Sequence, residues 1–345
     1  MKKALAICLT DTHAHQNNID VQESVWKQVV GHAKKLDIKK IIHLGDFVVD
    51  RKSQSLQVLD HLSWVKNYVL DNDMSLIGIT GNHDKVALES TSAYPNLYDD
   101  VGFKIIEEEH ELKLSDNICV WLLPYFPESG SYKERVKSIS DRLDESKFNI
   151  IGSHIGVSGG LSHKNATINK EVPAGIFKKF NLGIFGHYHN KNLVEHEFDC
   201  DLLYIGSTHA ANYGEDNDKG FTVIYDDGSI EFINSEFTKF ETISIDVNDV
   251  DGKWMSETKK YISEGNVNVR VIVTGDESEL KKIKKQMFSE IGVKKLKLNT
   301  DSVAIRNEDD RVVFVSLDKD TVIKEYKKFS VSQEIDSSLG LEYLV

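Results

Sequence analysis

The sequence predicts an α/β protein: a two-sheet β-sandwich core flanked by helices, then a smaller C-terminal α/β domain. Three observations carry this. Over roughly the first 240 residues, short apolar runs alternate with segments of helical hydrophobic spacing. After that point the pattern turns β-branched and lysine-rich. A chain of 345 residues also exceeds one small domain, at roughly 100–200 residues per domain. The expected division is residues 1–240, a small α/β domain over 241–319, and a helical tail over 320–345.

The elements follow in order. Lys3 to Thr10 is a short apolar run, hence a buried strand. Val21, Val25, Trp26, Val29, Val30, Ala33 and Leu36 fall on one helical face, predicting a helix over 21–36. Ile38 to Leu44 is a second strand, Leu56 to Val69 a second helix, and Ser75 to Thr80 a third strand. This βαβαβ rhythm implies right-handed crossovers and a largely parallel sheet. Strands are expected at Ile118–Leu123, Phe148–Ser153, Leu182–Phe185 and Leu202–Ile205, with a helix over 131–144. Gly220–Tyr225 and Ile230–Asn234 read as a hairpin around Asp227-Gly228. Beyond residue 240, Val267–Thr274 and Val312–Leu317 are β-branched strands and Ser278–Ile291 is a lysine-rich helix. The tail is helix-like and ends apolar at Leu339, Leu341, Tyr343, Leu344 and Val345.

Composition narrows the function classes. With 40% hydrophobic and 28% charged residues, the chain is globular rather than disordered. No apolar run approaches the ~20 residues that span a bilayer, so no membrane association is expected. The N-terminal Met1-Lys2-Lys3 and Ala4–Leu9 read as a first strand, since Thr10-Asp11 breaks the run before a signal-peptide core is complete. Cys8, Cys119 and Cys200 are widely spaced, which argues against disulfides and a thiolate metal site and for a reducing cytoplasm. The net charge of -13 disfavours unaided tight binding to nucleic acid.

The chemistry sits just past the strand ends. These read Asp11-Thr12-His13, Gly45-Asp46, Gly81-Asn82-His83-Asp84, Gly152-Ser153-His154 and Gly186-His187-Tyr188-His189. Ligands in open α/β sheets bind at the carboxyl ends of strands, so these five ends should converge. Each element alone is also an ordinary turn; the ordered set of five is not a chance pattern. Asp11, His13, Asp46, Asn82, His154, His187 and His189 form a mixed oxygen and nitrogen set without thiolate, which suits Mn²⁺, Fe²⁺ or Zn²⁺. Seven ligands are too many for one ion and suit two, with Asp46 as the bridging carboxylate. Two divalent ions against two aspartates and a bridging hydroxide leave about one positive charge, which suits phosphate. His83 follows a ligand without being needed as one, so it is the candidate that protonates the leaving oxygen. Asp84 either orients His83 or holds the turn. His43 reads as a core residue or one supporting the ligands, whereas His32, His61, His110, His163 and His196 read as solvated.

The order DxH, GD, GNHD, GSH and GHYH resembles the calcineurin-like metallophosphoesterase superfamily over about residues 4–210. The resemblance implies that Asp11, His13, Asp46 and His189 hold one metal. Asp46, Asn82, His154 and His187 would hold the other, with His83 as the catalytic histidine. A narrower resemblance, to SbcD-type DNA repair exonucleases and their bacteriophage recombination relatives, rests on three stretches. These are Tyr204-Ile205-Gly206-Ser207-Thr208 with Lys219-Gly220-Phe221, Glu171-Val172-Pro173 leading to Gly186-His187, and Asn268 to Thr274. It implies a Mn²⁺-dependent DNA exonuclease and endonuclease in a bacterial or phage-infected cell, a homodimer, and an SbcC-type SMC-like ATPase partner bound through the C-terminal region. The family often places Asp or His three residues after the GD aspartate; here that residue is Val49, followed by Asp50 and Arg51. The family's DxHxG also becomes Asp11-Thr12-His13-Ala14-His15, without the glycine. Asp50, Arg51 and Ser207 are expected near substrate. So are Lys281 and Lys285, within a seven-lysine stretch to Lys297. Competing readings are a phosphoesterase for small phosphodiesters or phosphoproteins, and a non-catalytic binding module.

Overall fold

The computed structural model describes residues 2–300 except Glu89, Thr91, Glu128, residues 162–170, Glu195 and Glu197. Beyond residue 300 it describes Ser302–Arg306, Val312–Ser316, Ile323, Tyr326 and Lys327. The chain divides into two compact units, Met1–Thr238 and Lys239–Val345.

In the first unit the chain forms β1 (Ala4–Leu9), α1 (Ile19–Lys35), β2 (Lys40–Leu44), α2 (Leu56–Leu70), β3 (Ser75–Ile79) and β4 (Phe103–Ile106). There follow β5 (His110–Lys113), β6 (Ile118–Leu123), α3 (Tyr132–Ser140), β7 (Phe148–His154), β8 (Leu182–Gly186), β9 (Asn192–Leu193), β10 (Asp201–Tyr204), β11 (Gly220–Tyr225) and β12 (Ile230–Asn234). Two six-stranded sheets result, ordered β12-β11-β1-β2-β3-β4 and β5-β6-β7-β8-β10-β9. β1, β2, β3 and β4 run parallel, as the crossover helices require, while β11 closes antiparallel on β1. The expected two-sheet core flanked by helices is therefore present.

Strand alternation decides which layer each side chain joins. On β1, Ile7 and Leu9 face the helix layer with Val25, Trp26 and Val29 of α1, while the small Ala6 and Cys8 face the second sheet. Ile42 and Leu44 of β2 meet Val120 and Leu122 of β6 and Ile150 of β7 in the layer between the sheets. The other face of the second sheet buries Cys119 and Trp121 against Tyr132, Val136 and Ile139 of α3. All three cysteines are buried and free.

β4 and β5 went unpredicted, because four-residue strands such as His110–Lys113, with a mostly exposed side-chain pattern, carry little periodic signal. His61, read as solvated, is only 3% exposed and stacks on Trp64 at 5.7 Å. Burial pushes its imidazole down to about 4, so it stays neutral. The second unit forms β13 (Lys239–Asp246), α4 (Gly252–Glu264), β14 (Val267–Gly275) and β15 (Lys295–Thr300), of which the sequence reading expected only β14. These strands make a parallel sheet, β13-β14-β15, whose core is Val269, Val271, Val273, Leu280, Phe288 and Val293. The single helix expected over 278–291 is instead two short ones, α5 (Glu277–Leu280) and α6 (Lys285–Glu290). A continuous helix would stack Lys281, Lys282, Lys284 and Lys285 at three- and four-residue spacings, where like charges repel.

β16 (Ser302–Arg306) and β17 (Val312–Ser316) pair antiparallel. Of the expected partner-docking tail over 320–345, only Ile323, Tyr326 and Lys327 are described, and Leu339 to Val345 lie outside the described residues. No helix among the described residues is long and apolar enough to cross a membrane.

Candidate metal centre

Parallel strands bring their C-terminal ends to one edge, and here two sheets do so side by side. Asp11 and Asp46 follow β1 and β2 by two residues, Asn82 follows β3 by three, His154 ends β7 and His187 directly follows β8. The loops interlock: the Asp11 N–H donates to the Gly45 carbonyl at 3.0 Å and the His13 N–H to the Asp46 carbonyl at 3.0 Å. Asp11, His13, Asp46 and His187 all have positive φ, between 49° and 100°. Such backbone is unfavourable for residues with a Cβ and clusters at functional sites. Glycines permit the approach. A Cβ on Gly81 would collide with Asp46 Oδ1, and one on Gly186 with Thr10 Oγ1.

The seven expected ligands meet. His13 Nε2 lies 3.0 Å from His189 Nε2 and 3.5 Å from both Asp11 Oδ1 and Asp46 Oδ2. On the other side of Asp46, the same Oδ2 is 3.2 Å from His154 Nε2. Asn82 Oδ1 is 3.2 Å from His154 Nε2 and 2.9 Å from His187 Nδ1. Two ligand sets emerge, Asp11-His13-His189 and Asp11-Asp46-His154, each with donor atoms within 4.8 Å of one another. Carboxylate oxygens and imidazole nitrogens converge at distances where one cation could bind several of them at once. Divalent metal fits this donor set.

Neighbouring groups hold each ligand. The Asp11 carboxylate accepts from the Thr10 hydroxyl at 2.9 Å and from the His187 N–H at 3.0 Å. Asp46 Oδ1 accepts the His83 N–H at 2.8 Å. His154 Nδ1 donates to the Leu44 carbonyl at 2.7 Å, so Nε2 is the nitrogen turned to the ligand cluster. Buried His43 sets Nε2 3.0 Å from the Thr12 hydroxyl and stacks on Phe47 at 3.6 Å, so it supports two ligand loops from the core. The Asp84 carboxylate accepts N–H groups from Gly81, Asp46, Phe47 and Val48, so its contacts are with the turn rather than with the His83 ring. Burial and the Asp46 charge push Asp84 up to about 7, against the pull of its N–H donors.

Charge in the site is strongly coupled. Burial opposes ionisation of Asp11 and Asp46, yet the surrounding imidazoles hold both well below the usual carboxylate range. Burial likewise opposes charge on His13 and His154, but the two carboxylates win and raise both to about 9. Burial and the His154 charge push His187 down to about 4. In the metal-free protein at neutral pH, His13 and His154 therefore carry protons that an entering cation must displace. Titrating Mn²⁺ into apoprotein near pH 7, in buffers of different ionisation enthalpy, should show about two protons released per chain. Affinity should weaken as pH falls below about 9, because protons then compete for the same lone pairs. Uptake without proton release would show that these imidazoles are not ligands.

His83 lies beside this set, its ring 5.0 Å from that of His13 and its Nδ1 2.6 Å from the Val49 carbonyl. At the position where the family often carries Asp or His, a backbone carbonyl rather than a side chain faces His83. Asp50 is 3.9 Å from His15 Nε2, and Arg51 Nε donates to the Lys85 carbonyl at 3.4 Å. Ser207 is buried, its hydroxyl donating to the His209 carbonyl at 3.0 Å. Lys281 belongs to the second unit and pairs with Glu277 at 2.7 Å; Lys285 begins α6 there and is exposed.

The sequence assigned no role at the site to three supporting residues, although Lys219 lies in one of the stretches of narrower resemblance. Thr10 bridges two strand ends, donating also to the Leu44 carbonyl at 3.0 Å. Glu215 Oε1 lies 3.3 Å from His189 Nδ1. Fully buried Lys219 donates to the His189 carbonyl at 2.6 Å and to Asn190 Oδ1 at 2.9 Å. One signal was available: Lys219 directly precedes the wholly buried strand β11, where an ammonium must have partners.

Residues 6–191 match the calcineurin-like phosphoesterase family. No curated protein matches the chain. Among solved structures, a dimetal phosphatase from Danio rerio is 11% identical, covering 65% of this chain and 93% of its own, with a TM-score of 0.42. A protein of Thermus thermophilus is 9% identical, covering 67% and 99%, with a TM-score of 0.41. The nuclease MPE of Pseudomonas putida is 13% identical, covering 43% and 60%, with a TM-score of 0.26. Superpositions this loose establish no relationship by themselves. The family match spans more than half of the sequence and contains every converging ligand, and the chain belongs to the calcineurin-like phosphoesterase family of metal-dependent phosphoester hydrolases.

Proposed function

We propose that the protein is a two-metal phosphodiesterase acting on DNA, the nuclease subunit of an SbcD-type recombination-repair complex. The observation that supports a phosphodiesterase most is the convergence of two ligand sets around Asp11 and Asp46 with His83 beside them. Asp11, His13, Asp46 and His189 would hold one divalent ion, and Asp46, Asn82, His154 and His187 the other. Mn²⁺ suits their mixed oxygen and nitrogen donors. When bound, such a pair polarises a phosphoryl group and acidifies the attacking water.

The protein's own groups do the rest. With Oδ1 tied to the His83 N–H, Asp46 presents Oδ2 between the two imidazoles that need it. With its Nδ1–H on the Leu44 carbonyl, His154 offers Nε2 in one tautomer only. With its Nδ1–H on the Val49 carbonyl, His83 leaves Nε2 as the nitrogen that, in the imidazolium form, passes its proton to the leaving oxygen and ends as the neutral ring.

DNA as substrate is supported by the SbcD-like segments Tyr204–Thr208 and Lys219–Phe221, both of which pack directly behind His189. The seven lysines between Lys281 and Lys297 would meet phosphates, although ion pairs to Glu277 and Glu279 temper two of them. A chain of net charge -13 fits a nuclease whose grip on DNA is completed by a second copy and an SMC-like ATPase. The test is cleavage of labelled duplex and single-stranded DNA with Mn²⁺, alongside bis-p-nitrophenyl phosphate, with chelator as the control. Cleavage of DNA that chelator stops is the expected result. Ester turnover without DNA cleavage, even with the partner ATPase present, would move the protein to a small-phosphodiester substrate.

A further inference from the structure

We propose that Glu215, anchored by Lys219, is the positioning residue for His189, fixing the ring's tautomer and angle so that Nε2 faces the metal centre. The inference rests on the two-metal reading of the site but not on DNA as substrate.

Three observations carry it. Glu215 Oε1 lies 3.3 Å from His189 Nδ1, and His189 Nε2 lies 3.0 Å from His13 Nε2 and 3.9 Å from Asp11 Oδ1. One ring nitrogen thus faces a carboxylate while the other faces the ligand cluster. Second, Glu215 is not a mobile surface acid. It is 8% exposed, and its Oε1 also accepts from Asn212 Nδ2 at 2.8 Å. Third, the Lys219 ammonium lies 3.5 Å from Glu215 Oε2 and donates to the His189 carbonyl at 2.6 Å. One buried cation therefore ties the orienting carboxylate to the backbone of the residue it orients.

A carboxylate on the far nitrogen of a ligating histidine makes that nitrogen the N–H donor, leaves the lone pair on the near one and strengthens it as a ligand. His154 meets the same need with a backbone carbonyl. His189 follows β8 by three residues, in the loop beyond the strand end, and Glu215 with Lys219 supplies the rigidity the strand would otherwise give.

Two measurements test this. In metal-free wild-type protein, long-range ¹H–¹⁵N spectra at a pH where the ring is neutral should show His189 as the Nδ1–H tautomer. An Nε2–H ring would overturn the proposal without any variant being made. In Mn²⁺ titrations followed by calorimetry, Glu215→Ala should weaken one of the two sites by about 10–100-fold and leave the other unchanged. Glu215→Gln keeps an acceptor oxygen without the charge, so it should fall between wild type and Glu215→Ala and keep the Nδ1–H tautomer. Two wild-type affinities in a folded Glu215→Ala protein would sink the idea. A protein that responds as expected but leaves DNA intact would keep this inference and lose only the nuclease reading.

Discussion

Asp46→Asn should abolish phosphodiester turnover, with a loss on the order of 10³-fold, because metal charge stabilisation is worth several kcal/mol. The substitution preserves shape and removes one charge. That charge is central to the cluster: Asp46 Oδ2 stands 3.5 Å from His13 Nε2 and 3.2 Å from His154 Nε2, so one oxygen faces an imidazole from each ligand set. Its loss should also lower the metal content from two ions per chain, as read by elemental analysis after gel filtration. Circular dichroism should stay that of the wild type, since the surrounding loops are also held by the Asp11–Gly45 and His13–Asp46 backbone bonds. A fully loaded and fully active Asp46→Asn protein would remove the basis for a shared carboxylate.

A different signature is expected of His83→Ala. Turnover should fall about 10²–10⁴-fold, the usual worth of a positioned proton donor. Metal content should not change, because the imidazole of His83 is outside both ligand sets. The deficit should be smaller for p-nitrophenyl esters than for DNA, since a nitrophenolate leaves with little help from an acid. Comparing kcat for the two substrate types checks this. An equal deficit on both, or loss of metal, would assign His83 to binding rather than to proton transfer. The Val49 carbonyl, 2.6 Å from Nδ1, implies further that Val49 side-chain variants such as Val49→Ala leave this orientation intact.

Much of the site was legible because it is written in short motifs at strand ends. Parallel strands carry their C-terminal residues to one edge regardless of the intervening sequence, so five apolar runs each followed by Asp, Asn or His already implied a meeting point. The supporting residues were not legible in the same way. Glu215 is 26 residues from the histidine it faces, and no spacing rule connects them. His61 has neighbours of helical spacing that gave its position on α2, but whether that face points inward depends on Trp64 and the sheet behind it. The lysine stretch read as one helix because propensity favours it, and became two where like charges would crowd one helical face.

By itself, the sequence determined the α/β class, the order of the strands and helices in the first unit apart from β4, β5 and β9, and the identity of the seven side chains that converge. These follow from local periodicity and from residue chemistry, which act over a few positions. Only the tertiary structure decided that the two sheets stack through Ala6, Cys8 and Ile42 against Val120 and Ile150, that Asp46 stands between the two imidazoles, and that a buried lysine locks Glu215 behind His189. Those outcomes depend on which distant surfaces exclude water together and where each buried charge finds a partner. Both are properties of the packed chain, not of any segment of it.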